Sequence, residues 1–255
     1  MAAAGLAVEG FGIFGSHKLQ IVRKTLRLPR WEANGFRVVQ ISDVHINNPG
    51  AKAMAQEAVR LAIAEKPDLI AVTGDFLNEA MPWPRAGVLE TFKMLEDASC
   101  PCLGVLGNHD YAFGQHNAVL QTLSETPLRI LRNETVDLEG ITIAGMDDAL
   151  WGKFDPSVLD RGRSSKSTLA MLHEPDYVRD MPAWVSLVLS GHSHGGEVCL
   201  PGGSALHTPI GAKDYIAGFY GSAPVPLYVS RGVATLGPIR VYCPPDISVL
   251  TLESV

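Results

Sequence analysis

Several kinds of protein are excluded by what this chain has little of. Basic residues are outnumbered: 21 Lys and Arg stand against 27 Asp and Glu, for a net charge of −6 with histidine neutral. No dedicated nucleic-acid surface built on positive charge is expected from that balance. A small anionic substrate is still compatible, because a bound metal adds positive charge that the formal count omits. Cysteine is scarce, with four in 255 residues. Cys100 and Cys102 are too closely spaced for the usual zinc knuckle, and Cys199 and Cys243 are solitary, so buried free thiols are expected rather than a disulfide framework. No apolar run approaches the roughly 20 residues of a spanning helix. Met1 to Phe14 is rich in Ala and Gly, carries Glu9 and lacks the basic start of a secretory signal. We expect residues 1–17 to form a tail or short surface helix and residues 18–255 a single domain. A cytoplasmic location follows, with residues 1–14 available for peripheral membrane contact.

What is present is hydrophobic mass and punctuation. Apolar residues make up 46% of the chain and charged residues 19%, enough for a large core and too few charges for disorder. Lys18 to Leu28 alternates like a half-buried strand, and Phe36 to Ser42 reads as a second strand that runs into Asp43-Val44-His45. Ala51 to Lys66 has apolar residues at helical spacing and is stopped by Pro67. Asp68 to Thr73 is a buried strand ending in Gly74-Asp75. Val88 to Ala98 reads as a helix, Cys102 to Leu106 as a short strand ending in Gly107-Asn108-His109-Asp110, and Gln115 to Ser124 as a further helix. Strands alternating with helices, each strand ending in a polar residue, predict an α/β unit with its site at the carboxyl edge of the sheet.

Beyond Leu128 the predicted strands are short and close together: 128–131, 135–138, 141–144, 167–172, 184–189, 197–200, 227–230, 240–243 and 247–252. That spacing predicts antiparallel pairing in a second sheet. Two packed sheets fit the whole better than two domains.

Five predicted strand ends carry residues able to bind a metal: Asp43 with His45; Asp75; Asn108 with His109; His173; and His192 with His194 in Gly191-His192-Ser193-His194-Gly195-Gly196. Carboxylate, imidazole and amide oxygen together suit borderline divalent ions such as Mn, Fe, Zn or Co. That many candidate ligands exceed what one ion with an open position takes, so two ions sharing a carboxylate are expected.

These blocks, in this order, resemble the calcineurin-like metallophosphoesterases. The wording of His173-Glu174-Pro175-Asp176, of the His-x-His loop, of Tyr228 to Gly232 and of Pro238-Ile239-Arg240 is similar to the bacterial YkuE/YaeI-type phosphodiesterase branch. The resemblance implies a four-layer α/β/β/α sandwich of two mixed sheets with flanking helices. It implies a first metal held by Asp43, His45, Asp75 and His194 and a second by Asp75, Asn108, His173 and His192, with Asp75 bridging. It further implies hydrolysis of a phosphoester or diphosphate by a hydroxide shared between the metals, with His109 assisting the leaving group. Phosphodiesters head the expected substrates. The alternatives are a lipid-linked diphosphate of the UDP-diacylglucosamine type, a phosphomonoester or phosphoprotein, and a non-catalytic scaffold on the same fold. Arg231 and Arg240, with Lys213, are candidate phosphate or headgroup contacts. One departure stands out: many members have a second aspartate where this chain has Asn78, which brings no charge to support His109. Asp110 is the other candidate for that part.

Overall fold

The computed structural model describes residues 18–78, 84–162, 167–237 and 239–255. The expected N-terminal tail (1–17), with its membrane contact, and Pro238 lie outside the described residues.

Among the described residues twelve strands form two sheets of six. They are β1 (Gln20–Leu28), β2 (Phe36–Ile41), β3 (Leu69–Thr73), β4 (Cys102–Val105), β5 (Arg129–Ile130), β6 (Glu134–Leu138), β7 (Ile141–Gly145), β8 (Thr168–Met171), β9 (Leu187–Ser190), β10 (Gly218–Tyr220), β11 (Leu227–Val229) and β12 (Asp246–Ser254). The first sheet runs β1-β12-β2-β3-β4-β5 and the second β10-β11-β9-β8-β7-β6. Both are mixed. In the first, only the β12–β2 pair is antiparallel.

Period-2 alternation distributes each strand between two cores. In β3, Leu69 and Ala71 face the second sheet and join Leu103, Val105, Ile143, Leu169, Met171, Leu187, Leu189 and Tyr228. Ile70 and Val72 point the other way, against Ala55, Val59, Val88, Phe92 and Val119 of the helices Pro49–Ala64, Arg85–Lys93 and His116–Leu123. The outer face of the second sheet, with Ala144, Ala170, Val188 and Leu227, is covered by Val158, Leu159, Val178 and Met181. The result is the expected α/β/β/α layering. Among the described residues no helix is long and apolar enough to cross a membrane.

The expectation of antiparallel pairing beyond Leu128 is corrected. Strands β7, β8, β9 and β11 are parallel neighbours, and only the β6–β7 and β10–β11 pairs are antiparallel. The continuous apolar runs of β8 and β9 carry the reason: a strand buried on both faces needs no polar alternation, as in parallel sheets. Residues 197–200 and 240–243 are not strands. They make only isolated bridges, Val198 with Val241 and Cys199 with Ala205.

Parallel strands in both sheets point the same set of loops at one place. Asp43 and His45 follow β2, Asp75 follows β3, Asn108 and His109 follow β4, His173 follows β8, and His192 and His194 follow β9. Hydrogen bonds tie these strand ends together. Gln40 Nε2 donates to Thr73 Oγ1 (2.9 Å) within the first sheet and to Ser190 O (2.8 Å) across to the second, where Gly191 N donates to His173 O (3.0 Å).

Candidate metal centre

The loops hold their side chains by unusual backbone. Five of the seven expected ligands, Asp43, His45, Asp75, His192 and His194, have positive φ between 38° and 68°. Such conformations cost non-glycine residues on the order of 1–3 kcal/mol each and persist where surrounding contacts enforce them, commonly at functional sites. Glycine makes room at two contacts. A Cβ on Gly191 would lie 1.9 Å from Ser42 Oγ and 2.4 Å from Asp43 Oδ2, and one on Gly107 would lie 2.4 Å from Asp75 Oδ1.

Two buried triads result, Asp43–His45–His194 and Asp75–His173–His192, their ligand atoms within 4.8 Å of one another in each. Asp75 reaches both: its Oδ2 is 3.4 Å from His45 Nε2 and 3.1 Å from His173 Nε2. His45 Nε2 lies 3.0 Å from His194 Nε2, which is 3.5 Å from Asp43 Oδ1. Among the described residues the buried Asn108 Oδ1 has no hydrogen-bond partner.

A second set of contacts orients these groups. His45 Nδ1 donates to Leu77 O (3.1 Å), His173 Nδ1 to Thr73 O (2.6 Å) and His192 Nε2 to Ile210 O (2.8 Å). A carbonyl only accepts, so in each neutral ring the other nitrogen is left with its lone pair, which is the form that binds a metal. The carboxylates are held too. Asp43 accepts from His192 N (3.0 Å), and Asp75 Oδ1 accepts from His109 N (2.9 Å).

The electrostatics are those of a site short of positive charge. Burial holds His45 down to about 3 and His192 down to about 4, and pushes Asp43 up to about 6. Burial also opposes a charge on His173, but the facing Asp75 outweighs it and keeps that imidazole well above its usual range. Buried carboxylates, oriented imidazoles and an unpartnered amide oxygen fit divalent cations.

His109 is half-buried, with its ring edge-on to His45 at 4.8 Å between centroids. It also forms a third triad with His45 and Asp75. Asp110, the following residue, does something other than face His109. Its carboxylate accepts from Gly107 N (2.9 Å), Asp75 N (3.0 Å) and Phe76 N (2.9 Å), clamping the β3 loop to the β4 loop. Asn78 lines an adjoining cavity beside His45, whereas His109 lines the main one.

The main cavity, of about 370 Å³, opens over Asp75, Asn108, His109, His192 and His194. Neither arginine expected at the phosphate is among its lining. Arg240 is buried behind His194, donating to His194 O (3.1 Å) and lying 3.3 Å from His194 Nδ1. Arg231 is paired with Asp246 (2.7 Å). The Lys213 amine is turned onto Thr208 O.

Two lining residues escaped the sequence reading. Glu197 has a signal, an acid three residues after His194 in the same glycine loop. It accepts from Leu236 N (2.6 Å) and Gly237 N (3.0 Å) and lies 3.5 Å from His194 Nδ1. His207, isolated in a turn-rich segment, has none.

Comparison with known proteins bears on this geometry. The chain is 32% identical over 232 residues to the metallophosphoesterase YkuE of Bacillus subtilis (strain 168), covering 87% of this chain and 80% of that protein. It is 26% identical over 242 residues to the phosphodiesterase YaeI of Escherichia coli (strain K12), covering 91% and 88%. It is 27% identical over 296 residues to the UDP-2,3-diacylglucosamine pyrophosphatase LpxG of Chlamydia muridarum (strain MoPn / Nigg), again covering 91% and 88%. Among solved structures, TT1561 of Thermus thermophilus shares the fold, with a TM-score of 0.53 at 12% identity over 77% of this chain and 89% of that one. The family profile for calcineurin-like phosphoesterases matches residues 36–196, which span every expected ligand from Asp43 to His194. The chain belongs to the calcineurin-like phosphoesterase family.

Proposed function

We propose that this chain hydrolyses phosphodiesters with two divalent cations held around a shared Asp75. The observation that carries the reading is the position of that carboxylate, within 3.4 Å of a nitrogen from each of two histidine-bearing triads. On this reading Asp43, His45, Asp75 and His194 hold one cation, and Asp75, Asn108, His173 and His192 the other. When bound, the cations, of the Mn, Fe, Zn and Co group, supply Lewis acidity towards a phosphoryl oxygen and lower the pKa of a water.

The chain's own residues do the rest. Leu77, Thr73 and Ile210 carbonyls keep the ligand nitrogens deprotonated and aimed. His109, on the cavity wall, gives its proton to the departing oxygen as the phosphorus–oxygen bond breaks; the water whose oxygen bonds to phosphorus releases its own proton to solvent, and solvent returns a proton to His109. The clamp from Asp110 fixes the β3 and β4 loops, so His109 and Asp75 keep their spacing.

A lipid-linked diphosphate is the second reading. The cavity wall formed by Val198, Pro209 and Leu236 is apolar, and Leu206 and Ile210 beside it are exposed. The name of the LpxG relative points to the same substrate class.

Elemental analysis of purified protein, followed by hydrolysis of bis(p-nitrophenyl) phosphate and p-nitrophenyl phosphate across added Mn, Fe, Zn and Co, tests the proposal. Two metal equivalents and a preference for the diester are expected, and Asp75→Asn should lower both metal content and turnover. Preference for the monoester would make this a phosphomonoesterase, and two bound metals without turnover a scaffold. Release of uridine monophosphate from UDP-diacylglucosamine would favour the second reading.

A further inference from the structure

His173 is followed directly by Glu174, Pro175 and Asp176, and the chain there enters a short 3₁₀ helix, Pro175–Asp180. The Asp176 carboxylate grips a distant loop. Its Oδ2 accepts from Lys213 N (2.6 Å), and its Oδ1 accepts from Asp214 N (3.0 Å) and Tyr215 N (3.3 Å). Its own backbone N–H donates back to Gly211 O (2.9 Å). A hydrogen bond to an ionised carboxylate is roughly twice as strong as one between neutral groups. Three on one side chain make Asp176 the main hold on this loop. From the same helix Arg179 pairs with Asp214 (2.6 Å), but both side chains are about half exposed and such pairs contribute little.

The gripped loop carries the carbonyl on which His192 rests. Ile210 O accepts from His192 Nε2 (2.8 Å), and Ile216 O accepts from Ser193 Oγ (2.5 Å). The Ile210 side chain is 74% exposed, so its own packing does not fix that carbonyl. The next residue, Gly211, has a φ of 95°, which a side chain would resist. A Cβ on Gly211 would lie 3.2 Å from Glu174 Cβ and Cγ and 3.5 Å from His192 Nε2, so the turn fits closely between them. The His173 and His192 rings themselves meet edge-on, 5.0 Å between centroids. One short stretch thus acts on both imidazoles of the Asp75–His173–His192 triad: His173 belongs to it, and Asp176 reaches its partner through the loop.

We infer that Asp176 is a positioning residue for the cation site at Asp75, His173 and His192. By gripping Lys213, Asp214 and Tyr215 it places Ile210 O, and Ile210 O sets the orientation of the His192 ring and keeps its proton on Nε2. Nδ1 is then left with the lone pair that a cation takes. The inference rests on the two-cation reading above and adds a residue to it. His45, in the other triad, rests instead on Leu77 O. Loss of Asp176 therefore falls on one of the two cation sites.

Equilibrium dialysis with Mn tests this. Asp176→Ala should weaken one of two Mn equivalents about 10- to 100-fold, as loss of an outer partner of a metal-bound histidine does, and leave the other within about twofold. Asp176→Asn, whose amide oxygen keeps part of the grip, should fall between the wild type and Asp176→Ala. Arg179→Ala should change neither equivalent. In a His192→Ala background Asp176→Ala should weaken Mn binding by less than about twofold further, because the ring it positions is gone; residues acting separately give losses that add. Metal-free protein supplies a second readout. The His192 Nε2–H, held on a carbonyl, should give an imidazole signal in proton–nitrogen correlation spectra of the wild type, and in Asp176→Ala that signal should vanish or exchange with water at least about tenfold faster. Additive losses, equal weakening of both equivalents, or an imidazole signal absent from the wild type or unchanged in the variant would overturn the inference. If the wild type takes up no second equivalent of any divalent ion, the two-cation reading falls, and the imidazole signal alone decides the part of Asp176.

Discussion

His45 Nε2 stands 3.0 Å from His194 Nε2, while the other nitrogen of His45 is already committed to the Leu77 carbonyl. Two buried imidazoles from different sheets thus present their Nε2 atoms to one point, beside Asp43 and Asp75. The same reasoning applies to the carboxylates around them, and it makes the site's supporting residues testable.

Glu197 is expected to act through His194. Its carboxylate lies 3.5 Å from the ring nitrogen of His194 that faces away from the triad. Glu197→Gln should weaken metal binding about 10- to 100-fold, the usual effect of losing an outer partner of a metal-bound histidine. Metal titration followed by equilibrium dialysis measures this; an unchanged affinity would restrict Glu197 to holding the backbone of Leu236 and Gly237.

His109→Ala separates proton donation from ligation. As a general acid its loss should lower kcat by about 10²–10⁴-fold on alkyl esters, and much less on p-nitrophenyl esters, whose leaving group needs no proton. Metal content should stay at the wild-type value. A drop in bound metal would instead make His109 a ligand, the role open to it in the third triad.

Gly191→Ala forces a methyl to within 1.9 Å of Ser42 Oγ and 2.4 Å of Asp43 Oδ2. Overpacking of this kind typically costs about 1–3 kcal/mol, and here it also moves a ligand. A lower denaturation midpoint is expected, with partial recovery in the Ser42→Gly, Gly191→Ala double variant. Wild-type stability in the single variant would show that the two loops separate easily.

Acid should destabilise the metal-free protein in a window set by His45. Its folded pKa, about 3, lies below the unfolded value of about 6.5. Between those values the unfolded chain binds the proton and the folded chain does not. Stability therefore falls as pH drops through that window, by up to about 1.4 kcal/mol per unit from this residue. His45→Gln should flatten the dependence in urea unfolding between pH 6.5 and 4.5. An equal slope in both proteins would show that other groups govern it.

That residues able to bind a metal gather at strand ends was legible in the sequence, because chemistry and strand geometry restrict the candidates together. Few residue types bind such ions, and Asp43, Asp75, Asn108, His173 and His192 each follow a short apolar run of strand length. The direction of the second sheet was not legible there, since β8 and β9 are buried on both faces and lose the alternation that reports pairing. Arg240 shows the same limit for side chains: a charged residue near a site reads as a substrate contact, and only packing reveals it buried against His194 O.

By itself the sequence determined which residues can coordinate and that they stand at strand ends, because residue type and local period are local properties. The tertiary structure alone decided how those ends meet: the parallel register of two sheets, the left-handed backbone at Asp43, His45, Asp75, His192 and His194, and the Asp110 clamp. Each of these depends on groups far apart in the chain, and their contacts exist only once both sheets have packed.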